Sequence, residues 1–257
     1  MSWKLAFSTL GMPGAPLREA VSVATAHGCH GLELRAHPDE EVRLGIDPGP
    51  ARRRVEDDGL QVACLAGYAK ICHPGPDRPV VDELRSLIEL AAGLGTPSIR
   101  VFPGGRPAED GPAVERIGAV VEDLRASGVR LLLETHDSHP TGELARRVVE
   151  PFADPGVVAV LWDALHPWRH GEPPERTRAE LAEFLGHFQI KDAAGPADTT
   201  PLPPGEGGVP LTECARLLQT WSGWVSLEWE KAWYPGIPRV EAALPATTAW
   251  FRTWNPG

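Results

Sequence analysis

The chain has 257 residues, 42% of them hydrophobic and 23% charged, an ordinary balance for a globular protein and enough for one large α/β domain. Its formal net charge of -10 comes without any lysine- or arginine-rich block, which argues against a nucleic-acid partner, because phosphate contacts demand a basic footprint. No apolar run approaches the ~20 residues that span a bilayer, so no membrane partner is expected. The first dozen residues carry no signal-peptide core. Cys29, Cys64, Cys72 and Cys214 lack paired-ligand spacing, which implies reduced thiols and a cytoplasmic protein.

Taken in chain order, short β-type runs alternate with helical stretches. Strands are predicted at residues 4–10, 31–35, 61–68, 98–103, 130–136, 157–163, 187–192 and 225–230, each rich in Val, Leu, Ile, Phe or Trp and bounded by Gly, Pro or polar residues. Between the first two, residues 17–27 place Leu17, Val21 and Ala24 on one helical face and stop at Gly28. Residues 81–94 do the same with Leu84, Leu87, Ile88 and Ala91, closed by Gly93 and Gly95. A further helix is predicted over 113–127, with Val114, Ile117, Val121 and Leu124 on its face and Gly128 at its end. Residues 68–77 and 193–210 lack regular patterning; the second, rich in Gly, Pro and Thr, follows the seventh strand and reads as a loop over the functional end or as a proline-stiffened connector.

Eight strand–helix units in 257 residues, about 32 residues each, fit a (β/α)8 TIM barrel over residues 1–257 as a single domain. Continuously apolar strands such as Leu131-Leu132-Leu133 suit a parallel sheet covered on both faces. An open doubly wound sheet would call for a Gly-x-Gly-x-x-Gly after the first strand, and none is present.

In such a barrel the chemistry sits at the C-terminal ends of the strands. There, four consecutive strands turn hydrophilic: Leu-Glu134-Thr-His136, Trp-Asp163-Ala-Leu-His166, His187-Phe-Gln189-Ile-Lys191-Asp192 and Leu-Glu228-Trp-Glu230. Alternation puts Glu134 with His136 on one side, His187 with Gln189 and Lys191, and Glu228 with Glu230. Converging buried carboxylates repel one another, and a divalent cation relieves the conflict by supplying charge and accepting oxygen ligands. The alternative for each acid is an exposed salt bridge with Lys191, Arg100 or Arg35.

These motifs, with Gly31-Leu-Glu-Leu-Arg35, resemble the sugar phosphate isomerase/epimerase superfamily, the xylose isomerase-like barrels that include ketose 3-epimerases, inosose dehydratases and 3-dehydroshikimate dehydratases. The resemblance spans nearly the whole chain. It implies one divalent metal ion held by Glu134, Asp163, Gln189 and Glu228. At the third position many members carry histidine; here it is Gln189, with His187 two residues earlier as the alternative. An all-oxygen set favours Mg2+ or Mn2+ and leaves Co2+ and Zn2+ as alternatives. His166 matches a histidine that contacts substrate in relatives.

The implied reaction is proton abstraction next to the carbonyl of a sugar or polyhydroxy ketone, through a metal-stabilised enediolate, with Glu134 and Glu228 as base and acid. Reprotonation gives an epimerase or isomerase; loss of a β-hydroxyl gives a dehydratase (lyase) of inosose or 3-dehydroshikimate type. An endonuclease IV-like repair enzyme would need several zinc ions and more histidines, and a catalytically inactive binding protein would be free to lose Glu134 or Glu228. Lys191, His136, His187 and Arg100 join His166 as substrate-binding candidates, Lys191 also as a partner of Glu230. Trp162, Trp168, Trp229, Trp233 and Tyr234 lie near the motifs, as core residues or as faces for sugar C–H edges. Glu33 and Arg35 are expected to pair with neighbours. A homo-oligomer is compatible with the sequence.

Overall fold

A computed structural model describes residues 2–105 and 110–255; the outermost residues of the expected domain lie outside the described residues. The strands are β1 (Trp3–Ser8), β2 (Gly31–Arg35), β3 (Gln61–Lys70), β4 (Ser98–Phe102), β5 (Arg130–Glu134), β6 (Val158–Asp163), β7 (Leu185–Ile190), β8 (Asp192–Gly195), β9 (Asp198–Leu202) and β10 (Gly223–Leu227). Eight of them close a barrel in the order β1-β10-β7-β6-β5-β4-β3-β2, with every neighbouring pair parallel. The expected (β/α)8 architecture is therefore present.

Strand alternation divides the apolar runs between two cores. Leu131 and Leu133 pack outward with the helices, whereas Leu132 joins Cys64, Ala159 and Leu161 in a separate cluster, which fills the barrel axis. This plug is small. Beyond it the interior turns polar: Glu33, Arg100, Glu134, Asp163, His187, Gln189 and Ser226 are all buried. The strands thus supply an apolar base and a charged top layer from one period-two pattern.

The helices bury one face each against the outer side of the barrel. The helix Asp77–Leu94 buries Leu84, Leu87, Ile88, Ala91 and Leu94 and ends on Gly95, whose φ of 71° supplies a left-handed cap. The single helix expected over 113–127 is instead two, Asp110–Gly118 and Val121–Ser127. The break follows Gly118, a poor helix former, where the Val120 amide reaches back only three residues, to the Ile117 carbonyl at 3.0 Å. The resulting change of axis keeps Ile117, Val120 and Leu124 all buried. Arg116, on the first of these helices, is also buried and donates to the carbonyls of Ile71, His73 and Gly75. It thereby organises the 68–77 connection that has no sequence period.

The other unpatterned stretch is not a plain loop. Strands β8 and β9 pair antiparallel, Asp192 opposite Leu202, and the chain then folds back around the Asp192 carboxylate. That buried carboxylate accepts N–H groups from Ala193 at 2.9 Å, Gly205 at 2.8 Å, Gly207 at 3.0 Å and Val209 at 3.1 Å. Glycine is required at 207, where a Cβ would lie 2.2 Å from Asp192 Oδ1 and 2.4 Å from the Ala193 oxygen. The mixture of Gly, Pro and Thr hid the hairpin because turn residues outnumber apolar ones.

Asp192→Ala leaves these four amides without their acceptor. The variant is expected to lose about 2–3 kcal/mol in urea denaturation, with faster amide exchange confined to residues 193–209. Exchange unchanged across that segment contradicts this role.

Candidate active site

Strands β5, β6, β7 and β10 are consecutive around the barrel, and each delivers one oxygen-bearing side chain to its C-terminal end: Glu134, Asp163, Gln189 and Glu228. Asp163 and Gln189 are direct register partners, as are Ser226 and Gln189. Oxygens of Glu134, Asp163 and Glu228 lie within 4.8 Å of one another, and all three residues are buried. Two fixed cations accompany them. Arg100 Nε lies 3.1 Å from Glu134 Oε2. Lys191 Nζ lies 3.1 Å from Asp163 Oδ2, 2.7 Å from Glu228 Oε2 and 2.9 Å from Glu230 Oε1. The expected Lys191–Glu230 pair is thus present, and the same ammonium holds two further acids.

Two cations do not balance four carboxylates. Burial raises the Glu134 carboxyl to about 8 despite Arg100, with Glu228 adding to the rise. Burial likewise raises Asp163 to about 7 against the pull of Lys191. Glu228 behaves oppositely: burial would raise it, but Lys191 and Arg100 outweigh that and hold it at about 2. His166 is pushed well below the usual imidazole range by burial and by the neighbouring His136 and Lys191, so its ring is neutral.

The residues present suit a divalent ion. Both carboxylate oxygens of Glu134 and the amide oxygen of Gln189 are buried without a hydrogen-bond partner. The amide nitrogen of Gln189 donates to Glu33 Oε1 at 2.9 Å and to Glu228 Oε1 at 3.4 Å, an assignment that leaves its oxygen as the atom free to hold an ion. His187, the alternative at this position, is engaged elsewhere: its Nε2 lies 2.9 Å from Ser226 Oγ and 3.3 Å from Glu33 Oε2. Glu33 therefore pairs with neighbours as expected, and Arg35 pairs with Glu40 at 2.9 Å.

Above the carboxylates opens a cavity of about 690 Å³, lined among others by Glu134, Glu228, Glu230, Lys191, Arg100, His136 and His166. The structure thus brings these sequence candidates together around one space, while Asp163, His187 and Gln189 lie outside its lining. The rings of His136 and His166 are 4.2 Å apart, and with Glu134 they form a second group of convergent donors. Asp137, beside His136, adopts a φ of 43°, a left-handed conformation tolerated by aspartate at a local cost. Among the aromatic residues, Trp162 and Trp229 are buried core and Trp168 packs against the core, whereas Trp233 and Tyr234 line the cavity. Tyr68, Lys70, Phe102, Arg169 and Thr199 also line it without having been singled out from sequence. Tyr68, Lys70 and Phe102 sit at strand ends, which is the signal that could have found them. Arg169 and Thr199 come from the helix Leu165–Arg169 and from the hairpin, which no strand pattern reaches.

A closed parallel barrel with a donor cluster at the strand C-termini defines a TIM barrel built to hold a small ligand or ion at one rim. The chain belongs to the xylose isomerase-like TIM barrel family, whose model matches residues 21–254. No functionally curated protein shows a significant sequence match. Among solved structures, the chain is similar to the IOLI protein with a bound zinc atom, at 16% identity and a TM-score of 0.82 over 98% of this chain and 97% of that one. It is also similar to an L-ribulose 3-epimerase, at 15% identity and 0.82 over 99% and 95%. A third is the probable 3-DHS dehydratase AsbF from Bacillus anthracis, at 19% identity and 0.77 over 98% of both chains. At these identities the likeness is one of fold. No helix among the described residues is long and apolar enough to cross a membrane.

The shifts of Glu134 and Asp163 set the sign of a stability profile. Their folded values lie above the unfolded ones, so the folded metal-free chain holds protons that the unfolded chain releases. That stabilisation is complete below the usual carboxylate range and is lost as pH rises through about 7 to 8. Glu228 acts oppositely, losing its contribution only as pH falls toward about 2. In EDTA, the urea midpoint is therefore expected to drop between pH 6 and pH 9, and Glu134→Gln to flatten the drop. An equal midpoint at both pH values contradicts the assignment.

Proposed function

We propose that the chain is a divalent-metal-dependent isomerase or epimerase that moves a proton next to the carbonyl of a sugar or polyhydroxy ketone. One observation carries this reading: oxygens of Glu134, Asp163 and Glu228, from three different strands, come within 4.8 Å of one another at the base of an open cavity. These three and the amide oxygen of Gln189 would hold the ion, and the all-oxygen set suits Mg2+ or Mn2+. When bound, such an ion polarises a carbonyl and acidifies the adjacent C–H.

The chain's own residues supply the rest. Glu134 and Glu228 both line the cavity, and two strands separate theirs in the barrel, so they reach the substrate from different sides. One glutamate, as the carboxylate, takes the proton from carbon, leaving an enediolate; the other, as the carboxylic acid, gives its proton to the opposite face or to the neighbouring carbon. Positioned acid–base groups of this kind contribute about 10²–10⁴-fold. Arg100 forms an ion pair with Oε2 of Glu134, while Lys191 holds Oε2 of Glu228 and Gln189 donates to its Oε1, so both carboxylates are positioned by neighbours. The neutral His166 and its neighbour His136 offer ring nitrogens to substrate hydroxyls. The location fits the cytoplasm, with a small molecule as the partner.

The paired imidazoles favour one second reading, dehydration. After a carboxylate takes the proton from carbon, a β-hydroxyl leaves as water with a proton from His136, whose Nδ1 lies 2.8 Å from Asp137. A cyclic keto-alcohol so dehydrated yields a conjugated chromophore, which absorbance detects and which epimerisation does not form.

In D2O, the Mn2+-loaded protein is expected to wash deuterium into a ketose substrate. Glu134→Gln and Glu228→Gln should each reduce that exchange by about 10²-fold or more with an unchanged circular dichroism spectrum, and Asp163→Asn should lower the bound Mn2+ per chain. Exchange unaltered in both glutamate variants removes them from the proton transfer.

A further inference from the structure

We propose that the cavity takes a substrate bearing an anionic oxygen group, a carboxylate or a phosphate, gripped at the mouth by Lys70 and Arg169. The inference rests on the metal-dependent reading of this cavity and adds the charge of its substrate.

Four cationic side chains line the cavity: Lys70, Arg100, Arg169 and Lys191. Two are already engaged, Arg100 by Glu134 and Lys191 by Asp163, Glu228 and Glu230. Lys70 and Arg169 are exposed at the mouth, and neither side chain has a hydrogen-bond or ion-pair partner among the described residues. Arg100, a substrate-binding candidate in the sequence, is taken up by Glu134 instead.

They share one wall. Lys70 and Asp137 line the cavity and a neighbouring hollow together, His166 and Arg169 share the short helix Leu165–Arg169, and the rings of His136 and His166 lie 4.2 Å apart. Lys70, His136, His166 and Arg169 therefore form a run of nitrogen groups along one side. Within it, His166 Nε2 lies 3.5 Å from Asp163 Oδ2 without a hydrogen bond, on a residue only 7% exposed. The one acid on this wall, Asp137, is matched by His136, whose Nδ1 is 2.8 Å away.

The acids at the cavity floor are held by Arg100 and Lys191, and a bound divalent ion would offset more of their charge. Lys70 and Arg169 are the lining cations that no acid among the described residues engages in an ion pair. A neutral polyol has no use for two unpaired cations beside its hydroxyl groups, whereas a carboxylate or phosphate accepts from both. Two such pairs at a mouth open to solvent are worth about tenfold in affinity, and salt screens them.

The test titrates the Mn2+-loaded protein with three probes, D-fructose, D-fructose 6-phosphate and 5-keto-D-gluconate, following binding by isothermal titration calorimetry. One of the two anions is expected to bind about tenfold tighter than fructose, and which one distinguishes phosphate from carboxylate. The advantage should shrink at high salt and vanish in a Lys70→Gln, Arg169→Gln double variant that keeps its Mn2+ stoichiometry and its affinity for fructose. Anions binding no better than fructose, no anion binding at all, or a preference that survives in the double variant each overturns the proposal. Deuterium exchange separates the two readings. A preference that depends on Lys70 and Arg169, with no exchange in any probe, removes the reaction and leaves the anion site; exchange into fructose without anion preference does the reverse.

Discussion

Closing the barrel drives Glu134, Asp163, Glu228 and Glu230 into one small space, with only Arg100 and Lys191 to answer them. Charge taken out of water must be matched or neutralised, and each local arrangement at this rim is a response to that imbalance. The ammonium of Lys191 sits where three acids meet. The guanidinium of Arg100 caps the fourth and rests its face 4.0 Å from the Phe102 ring centroid, which lets a planar cation remain buried. Two acids still titrate above the usual carboxylate range. A divalent ion would offset much of this excess, and the oxygens of Glu134 and Gln189 that lack hydrogen-bond partners are free to hold it.

Beneath the acids, a polar layer fixes their geometry. Glu33 accepts from the Gln189 amide and faces His187, which in turn bonds Ser226. The amide oxygen of Gln189 is thus pointed by a partner on β2, across the barrel from its own strand. Side chains that orient a candidate ligand in this way commonly govern the site as strongly as the ligand does. Below them Cys64, Leu132, Ala159 and Leu161 seal the axis, so the cavity opens at one end only.

Much of this was legible in the sequence because it repeats a local rule. Hydrophilic strand ends flagged four successive strands, the family resemblance picked Glu134, Asp163, Gln189 and Glu228 among them, and terminal glycines marked the helix ends. What stayed hidden depends on register and on distant partners. That Gln189 rather than His187 keeps a free donor atom follows from where Glu33 and Ser226 fall, which no single strand reveals. The hairpin of β8 and β9 is stabilised by one carboxylate and several glycine amides, not by an apolar period. The split of the 110–127 helical region comes from burying Val120, a tertiary gain that overrode a continuous helical pattern. Lys70 was obscured because β3 slips register between Ala66 and Lys70, and Arg169 because it lies one helical turn beyond a strand.

Lys191 also stands out in the composition. Of 25 basic residues only four are lysine, and among the described residues Lys191 is the buried one. Lysine and arginine are not equivalent there. A tetrahedral ammonium can aim one N–H at each of three carboxylates, Asp163 from β6 and Glu228 and Glu230 from the segment after β10, whereas a flat guanidinium presents its donors in a single plane. The meeting of these acids thus calls for a cation of a particular shape as well as of the right charge.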